Sequence, residues 1–298
     1  MGPRRSSLAR AHAAAYIDDG IVAEAELLLG LVPDAGPAGQ RGIRADATAI
    51  IHPGARIGAG TVVGPYAVIG EHVRIGRDCR IGASTVIDGD TQIGDGNEIF
   101  PFASIGLIPQ DLKFRGEETT VEIGDRTVVR EYATINRGTV ESQRTTVGED
   151  CFIMTYVHLA HDCHLGNGVI ISNATQLAGH VTIEDRAILS GLVAVHQFVR
   201  IGTHSFIGGA SRVPKDVPPF LKAVGNPVKL YGLNSVGLRR AGFDPLVLRE
   251  LKRAYRLFFR SELNVTQALE RAQQELEMCP EVQCFLDFVD GSGRGVVT

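Results

Sequence analysis

The sequence has no apolar run approaching the roughly 18 to 20 residues that a helix needs to cross a bilayer. Its most apolar early stretch, "ELLLGLV", is too short for a signal-peptide core. The chain therefore reads as a cytoplasmic protein with no transmembrane segment. It also lacks any CxxC pair. Its five cysteines, Cys79, Cys151, Cys163, Cys279 and Cys284, are an odd number in a chain too long to need a disulfide framework, and they read as reduced thiols. Positive charge is not in excess either, since the formal net charge is -4. Without a global basic footprint, nucleic acid is excluded as the default partner.

What is present is a period. Aliphatic residues recur at every sixth position at Ile51, Ile57, Val63, Ile69, Ile75, Ile81, Ile87, Ile93, Ile99 and Ile105, resume at Ile123, Val129 and Ile135, and run again from Val147 through Ile207 to Val213. Helices repeat at 3.6 residues and strands at 2, so neither alone has this period. Six residues make one short strand and one turn, and three such faces close a triangular coil. Stacked coils then form parallel ladders about 4.8 Å apart, with the aliphatic side chains inside the prism. The fold class is mainly β: a hexapeptide-repeat parallel β-helix over residues 47–222. Glycine commonly follows the aliphatic position, as in Ile57-Gly58 and Ile75-Gly76, and is expected to make the corners.

Residues 1–46 lack the register and read as an irregular N-terminal extension with at most one short helix. Two polar segments interrupt the repeat, "GLIPQDLKFRGEETTVE" between Ile105 and Ile123 and "NRGTVESQRTT" between Ile135 and Val147. They must bulge from the prism as loops, where binding groups are usually carried. After the repeat, residues 223–298 read as a C-terminal α-helical domain. Asp244 caps a helix with Pro245 as its first residue and Leu248, Leu251, Tyr255 and Phe258 on one side, and two more helices follow. Arg249, Lys252, Arg253, Arg256 and Arg260 give this domain a locally basic face, which reads first as a solvated surface and is also what an acidic carrier protein would need.

"VHLAHDCHLG" places His158, His161 and His164 at intervals of three. On a path that turns round a prism these positions do not converge as i and i+4 do on a helix, and no carboxylate-rich cage lies nearby, so a metal site is disfavoured. Residues eighteen apart should instead stack on adjacent coils. That puts Gly179 over His161, His180 over Asp162, and His196 over Ala178. His161 is then a candidate general base, Asp162 the group that orients its ring, and the Gly179 N–H an oxyanion donor for acyl transfer. A row of merely solvated histidines is the other reading, and the residues by themselves leave both open.

The ordered set "QDLKFRGEET", "NRGTV", "VHLAHDC", "NATQLAGHV", "AVHQFVRIGTHSFIGG", "KDVPP", "GNP" and "GLRRAGF" resembles the acyl-ACP–UDP-N-acetylglucosamine O-acyltransferase family over residues 47–298. The resemblance implies a left-handed β-helix and a cytoplasmic homotrimer with clefts between subunits. It also implies transfer of a 3-hydroxyacyl chain from acyl carrier protein to the 3-hydroxyl of UDP-N-acetylglucosamine, the first step of lipid A synthesis, with no cofactor and no metal. By the same resemblance His161 is the base and Gly179 the oxyanion donor. Asp111, Lys113 and His158 contact the sugar and its neighbours, and His180 and His196 line the cleft. Gln197, Asn234 and Arg240 lie on the nucleotide side, and Gly209 leaves room for a long acyl chain. His164 is a bystander. The chain departs from the family at Asn136, where familiar members have histidine, and at Val236 and Ala241. Asn136 remains a candidate substrate contact but carries no charge, and a 3-amino acceptor stays open.

The closest rival is the later UDP-3-O-acylglucosamine N-acyltransferase, which carries a folded uridine-binding domain ahead of its prism. A coenzyme A-dependent acetyltransferase is disfavoured by the "QDLK" loop and the helical domain. A catalytically silent solenoid scaffold is the reading from another class.

Overall fold

The computed structural model describes residues 9–17, 20–29 and 42–298. Strands Ala9–Ile17 and Gly20–Leu29 pair antiparallel within a unit of their own, Met1–Arg41. The extension expected to be irregular thus carries strands where at most a helix was read. Alanine's helix propensity hid the period-two alternation of Ala23-Glu24-Ala25-Glu26-Leu27.

From Arg44 onward the chain coils into a left-handed parallel β-helix with three ladders. One has nine strands, from Ile50–Ile51 to Arg212–Val213, and the second has eight, from Arg56–Ile57 to Arg200–Ile201. The third has eleven and starts at Arg44–Ala45, three residues before the expected boundary, because that pair bonds to Val62–Val63 without needing an aliphatic residue. It ends in Leu221–Gly225 and the antiparallel Val228–Leu233, joined across a cis Asn226-Pro227 bond.

Each hexad sends two side chains inside. One is the aliphatic residue, such as Ile87, Ile105, Ile135 and Leu159, all fully buried. The other, two positions earlier, is small: Thr61, Ala67 and Thr85 occupy it, and so do Cys79, Cys151 and Cys163. Three of the cysteines are therefore interior spacers, and free ones.

The corners are not made by the glycines that follow the aliphatic residues. A Cβ on Gly58 would lie 2.5 Å from the carbonyl carbon of Gly76, so glycine is required there by the approach of the next coil. The left-handed corner comes two residues later, at positions such as Asp78, Tyr132, Tyr156, Asp162, His180 and Phe198, all with φ between 54° and 63°. Among the described residues none with positive φ is β-branched, as the crowding of that region demands. These corners define three edges of the prism. One carries Asp162, His180 and Phe198; a second carries Tyr66, Phe102, Tyr132, Tyr156 and Leu192; the third carries Asp78, Arg126, Asp150, Arg186 and His204.

The outward faces differ in chemistry. The eight-stranded ladder presents Arg56, Arg74, Gln92, Glu122, Thr146 and Arg200. The eleven-stranded ladder presents Val128, Phe152, Ile170, Ile188 and Phe206, each only half-buried.

Four helices follow: α1 (Ser235–Arg240), α2 (Pro245–Phe259), α3 (Val265–Glu275) and α4 (Pro280–Asp290). The Asp244 carboxylate accepts the Leu246 N–H at 2.7 Å, capping α2 with Pro245 inside its first turn. α2 buries Leu251, Ala254 and Tyr255, with Leu248 and Phe258 packed at the margin of the core. α1 was not expected. Its six residues are too few to show a period, and it is held by the Asn234 side chain accepting from the Gly237 N–H. The basic face of α2 is partly spent on internal pairing, since Arg249 and Arg253 lie 2.9 and 2.7 Å from the buried Glu250. The tail returns to the prism: the Val297 N–H donates to Asp216 O, and Ser292 Oγ to the Asp216 carboxylate. Among the described residues no helix is long and apolar enough to cross a membrane.

Candidate active site

The eighteen-residue stacking holds. His158, Gln176 and Ala194 follow one another up the nine-stranded ladder, His180 N–H donates to His161 O one step further on, and Phe198 N–H donates to Gly179 O. One edge of the prism therefore gathers His161, Asp162, Gly179 and His180.

At its centre His161 Nδ1 lies 2.7 Å from Asp162 Oδ2. The carboxylate is 1% exposed and is held by Thr139 Oγ1 at 2.6 Å, Thr139 N–H at 2.9 Å and Ser142 Oγ at 2.5 Å. Burial pushes its pKa up, but these donors with His161 outweigh that and bring it down to about 2. An anion so fixed takes the Nδ1 proton as its hydrogen bond, which leaves Nε2 as the acceptor nitrogen of the neutral ring. His180 stands edge-on to His161 at 5.0 Å, with its own Nδ1 3.7 Å from Asp162 Oδ2, and stacks on Phe198 at 4.3 Å. Burial lowers the pKa of His180 against the pull of Asp162, and burial, with the nearby His161, lowers that of His158.

Gly179 sits directly against this ring. A Cβ there would fall 2.5 Å from His161 Cε1 and 2.7 Å from Nε2. Its N–H has no acceptor among the described residues. An imidazole oriented by a buried carboxylate and flanked by an unpaired N–H has the parts needed to take a proton from a hydroxyl and stabilise an oxyanion.

His158, His161 and His164 do not converge on one point. His158 Nδ1 is 2.7 Å from Thr134 Oγ1 on one ladder, and His164 Nδ1 is 3.0 Å from Thr146 Oγ1 on another. Ligand atoms of His161, Asp162 and His180 do lie within 4.8 Å of one another, yet Asp162 Oδ2 already accepts from Thr139 and His161.

Comparison with known proteins shows what the chain is similar to. Residues 216–297 match the family model described as UDP N-acetylglucosamine O-acyltransferase, domain 2, and residues 54–89 and 144–179 match the bacterial transferase hexapeptide model. The acyl-[acyl-carrier-protein]–UDP-N-acetylglucosamine O-acyltransferase of Verminephrobacter eiseniae is 46% identical over 218 residues, 71% of this chain and 83% of that one. The Burkholderia lata protein of the same name is 48% identical over 259 residues, 85% of this chain and 99% of that one. The chain belongs to the acyl-ACP–UDP-N-acetylglucosamine O-acyltransferase family. A UDP-N-acetylglucosamine acyltransferase structure from Bacteroides fragilis superposes with a TM-score of 0.84 at 44% identity, covering 85% of this chain and 99% of that one.

The other candidate residues of this acyltransferase have partners of their own. Asp111 and Lys113 sit in the first excluded loop, where the Asp111 carboxylate accepts the Lys113 N–H at 2.9 Å. Asn136, which opens the second excluded loop, lies against the start of the first, 6% exposed, with Nδ2 donating to Ile108 O at 3.1 Å and Oδ1 without a partner among the described residues. His196 and Gln197 are exposed above Ala178 and Gly179, and His196 Nδ1 lies 3.1 Å from Gln197 O and 3.2 Å from an Arg294 guanidinium nitrogen. Asn234 is committed to capping α1 and donates to His204 O, which puts it on a different edge from His161; Arg240 is exposed in the last turn of α1. Gly209 is exposed, and a Cβ there meets only Gly191 O, at 3.3 Å, and Ser190 Cβ.

Sequence reading missed Thr139, Ser142 and Phe198. Adding eighteen once more to His180 reaches Phe198, so that signal was present. The two hydroxyls lie in a loop without register, where no arithmetic finds a partner.

Proposed function

We propose that this chain transfers a 3-hydroxyacyl group from acyl carrier protein to the 3-hydroxyl of UDP-N-acetylglucosamine, the entry step of lipid A synthesis. The observation that carries the reading is the His161–Asp162 pair at 2.7 Å beside the unpaired Gly179 N–H, in a chain of this family.

His161 Nε2 takes the proton of the sugar hydroxyl as its oxygen bonds to the thioester carbonyl carbon. Asp162 stabilises the imidazolium, and the Gly179 N–H donates to the oxyanion. Collapse breaks the C–S bond, and His161 returns the proton to the departing sulfur, leaving an ester and the free carrier thiol. The step needs no metal and no cofactor. His158, Asp111 and Lys113 are proposed for the sugar side, His180 and His196 for the cleft wall, Gln197, Asn234 and Arg240 for the nucleotide, and Gly209 for the end of the acyl chain.

A cytoplasmic homotrimer is part of the proposal. Val128, Phe152, Ile170, Ile188 and Phe206 on one face, and the stacked Phe102, Tyr132 and Tyr156 on the adjoining edge, are apolar area that a second copy would cover. Asn234 and His161, on different edges of one chain, would then meet across a subunit boundary. Sedimentation should give three times the 32.0 kDa chain mass; a monomer would overturn the trimer. Incubation with UDP-N-acetylglucosamine and 3-hydroxyacyl carrier protein should yield a mono-acyl ester, and no transfer would overturn the activity.

A further inference from the structure

We infer that the second excluded loop is a clamp on the base: Thr139 and Ser142 are positioning residues that hold Asp162, and through it the ring of His161. The inference rests on the proposed acyl transfer for its kinetic readout, but not for its geometry.

The loop adds residues to one coil, so that Thr120 pairs with Arg144 where uninterrupted coils pair residues eighteen apart. Closing such an excursion costs chain entropy. What it returns is concentrated on one carboxylate. Asp162 Oδ1 accepts the Thr139 N–H at 2.9 Å and Ser142 Oγ at 2.5 Å, while Oδ2 accepts Thr139 Oγ1 at 2.6 Å and faces His161 Nδ1 at 2.7 Å. Each oxygen thus has two partners. The loop is itself braced, by Gln143 N–H to Thr139 O at 2.8 Å and by Glu141 N–H to Thr139 Oγ1. The Ser142 hydroxyl also lies 3.0 Å from Arg144 O, but its shorter contact is to Asp162. From the prism, Thr145 Oγ1 accepts the Asp162 N–H, fixing the backbone at φ 57°.

A carboxylate so fully engaged cannot rotate, and the ring bonded to it is locked about its own axis. The donors also draw negative charge away from Oδ2. Removing one leaves more charge facing the Nδ1 proton and favours the protonated imidazole. The other titratable groups around this point are His158, Cys163 and His164 on the same coil, His180 one coil above, and Glu141 and Asp111 from the two loops, and none is altered in the variants.

The test is the pH dependence of kcat/KM for T139V, T139S and S142A in the full chain, with imidazole titration followed by NMR on the same proteins. T139V should lower kcat several-fold and move the acidic limb to higher pH, with the KM for UDP-N-acetylglucosamine unchanged. T139S should restore both, and S142A should shift the limb in the same direction. If T139V does not fold, S142A carries the test, because Ser142 is only half-buried. Wild-type limbs and kcat in both T139V and S142A would overturn the clamp, as would losses that merely track the folded fraction. Because the NMR titration needs no turnover, an inactive wild type would overturn the proposed activity while the imidazole midpoints still decide the clamp.

Discussion

The ring of His161 packs so tightly on Gly179 that no side chain fits between them: a Cβ would come within 2.7 Å of both Cε1 and Nε2. The nitrogen proposed to take the proton and the amide proposed to meet the oxyanion are thereby fixed to one another by contact. The φ of Gly179 is not positive, so its backbone would accept alanine, and the clash would fall on a ring already bonded to Asp162. Gly179→Ala should keep its circular dichroism and lose about 10²-fold in kcat, the scale of a misplacement near 1 Å. An alanine variant with wild-type kcat would show that the contact is incidental.

Asp162 links the site to acid stability. Its folded pKa, about 2, lies below the ordinary carboxylate value near 3.9, so its stabilisation is fully present above about pH 4 and is lost as pH falls through about 2. Asp162→Asn should cost of order 2 kcal/mol at pH 7. Its unfolding midpoint in urea should also fall less steeply than that of the wild type below pH 4. Equal slopes would remove Asp162 from the linkage.

Chemistry at the cysteines should be slow where the prism encloses them. Burial pushes the Cys163 thiol up to about 12 and raises those of Cys79 and Cys151. Iodoacetamide at pH 8 should leave these three unmodified in the native protein and alkylate them in denaturant, as read by peptide mass spectrometry. Native modification of Cys163 would contradict its place inside the coil.

Gly209 offers a test of chain-length selection that does not disturb the base. It is exposed, and a side chain there meets little, so Gly209→Met should fold normally. Its preference across a ladder of 3-hydroxyacyl carriers should move to shorter chains. An unchanged preference would place the end of the acyl chain elsewhere.

How much of this was legible follows from what repeats. A coil of fixed length turns sequence separation into height, so Ile51 to Val213 disclosed the prism, and the step from 161 to 179 disclosed the meeting of base and amide. Corners were misread, because the glycine after each aliphatic residue serves the approach of coils, while the left-handed turn is borne by residues such as Asp162 and His180. Thr139 and Ser142 were invisible because a loop outside the register carries no height. The Asn234 oxygen also caps α1, a local use that only the short helix beside it reveals.

The central claim is that His161 is the base of an O-acyl transfer. Its most direct test is mass spectrometry of products from UDP-N-acetylglucosamine, its 3-amino analogue and a ladder of 3-hydroxyacyl carrier proteins, with wild type and His161→Ala side by side. The account predicts an ester from the wild type and a loss of about 10²–10⁴-fold in the folded variant. Turnover by His161→Ala near the wild-type rate would contradict the base, and an amide formed only from the amino analogue would contradict the oxygen acceptor.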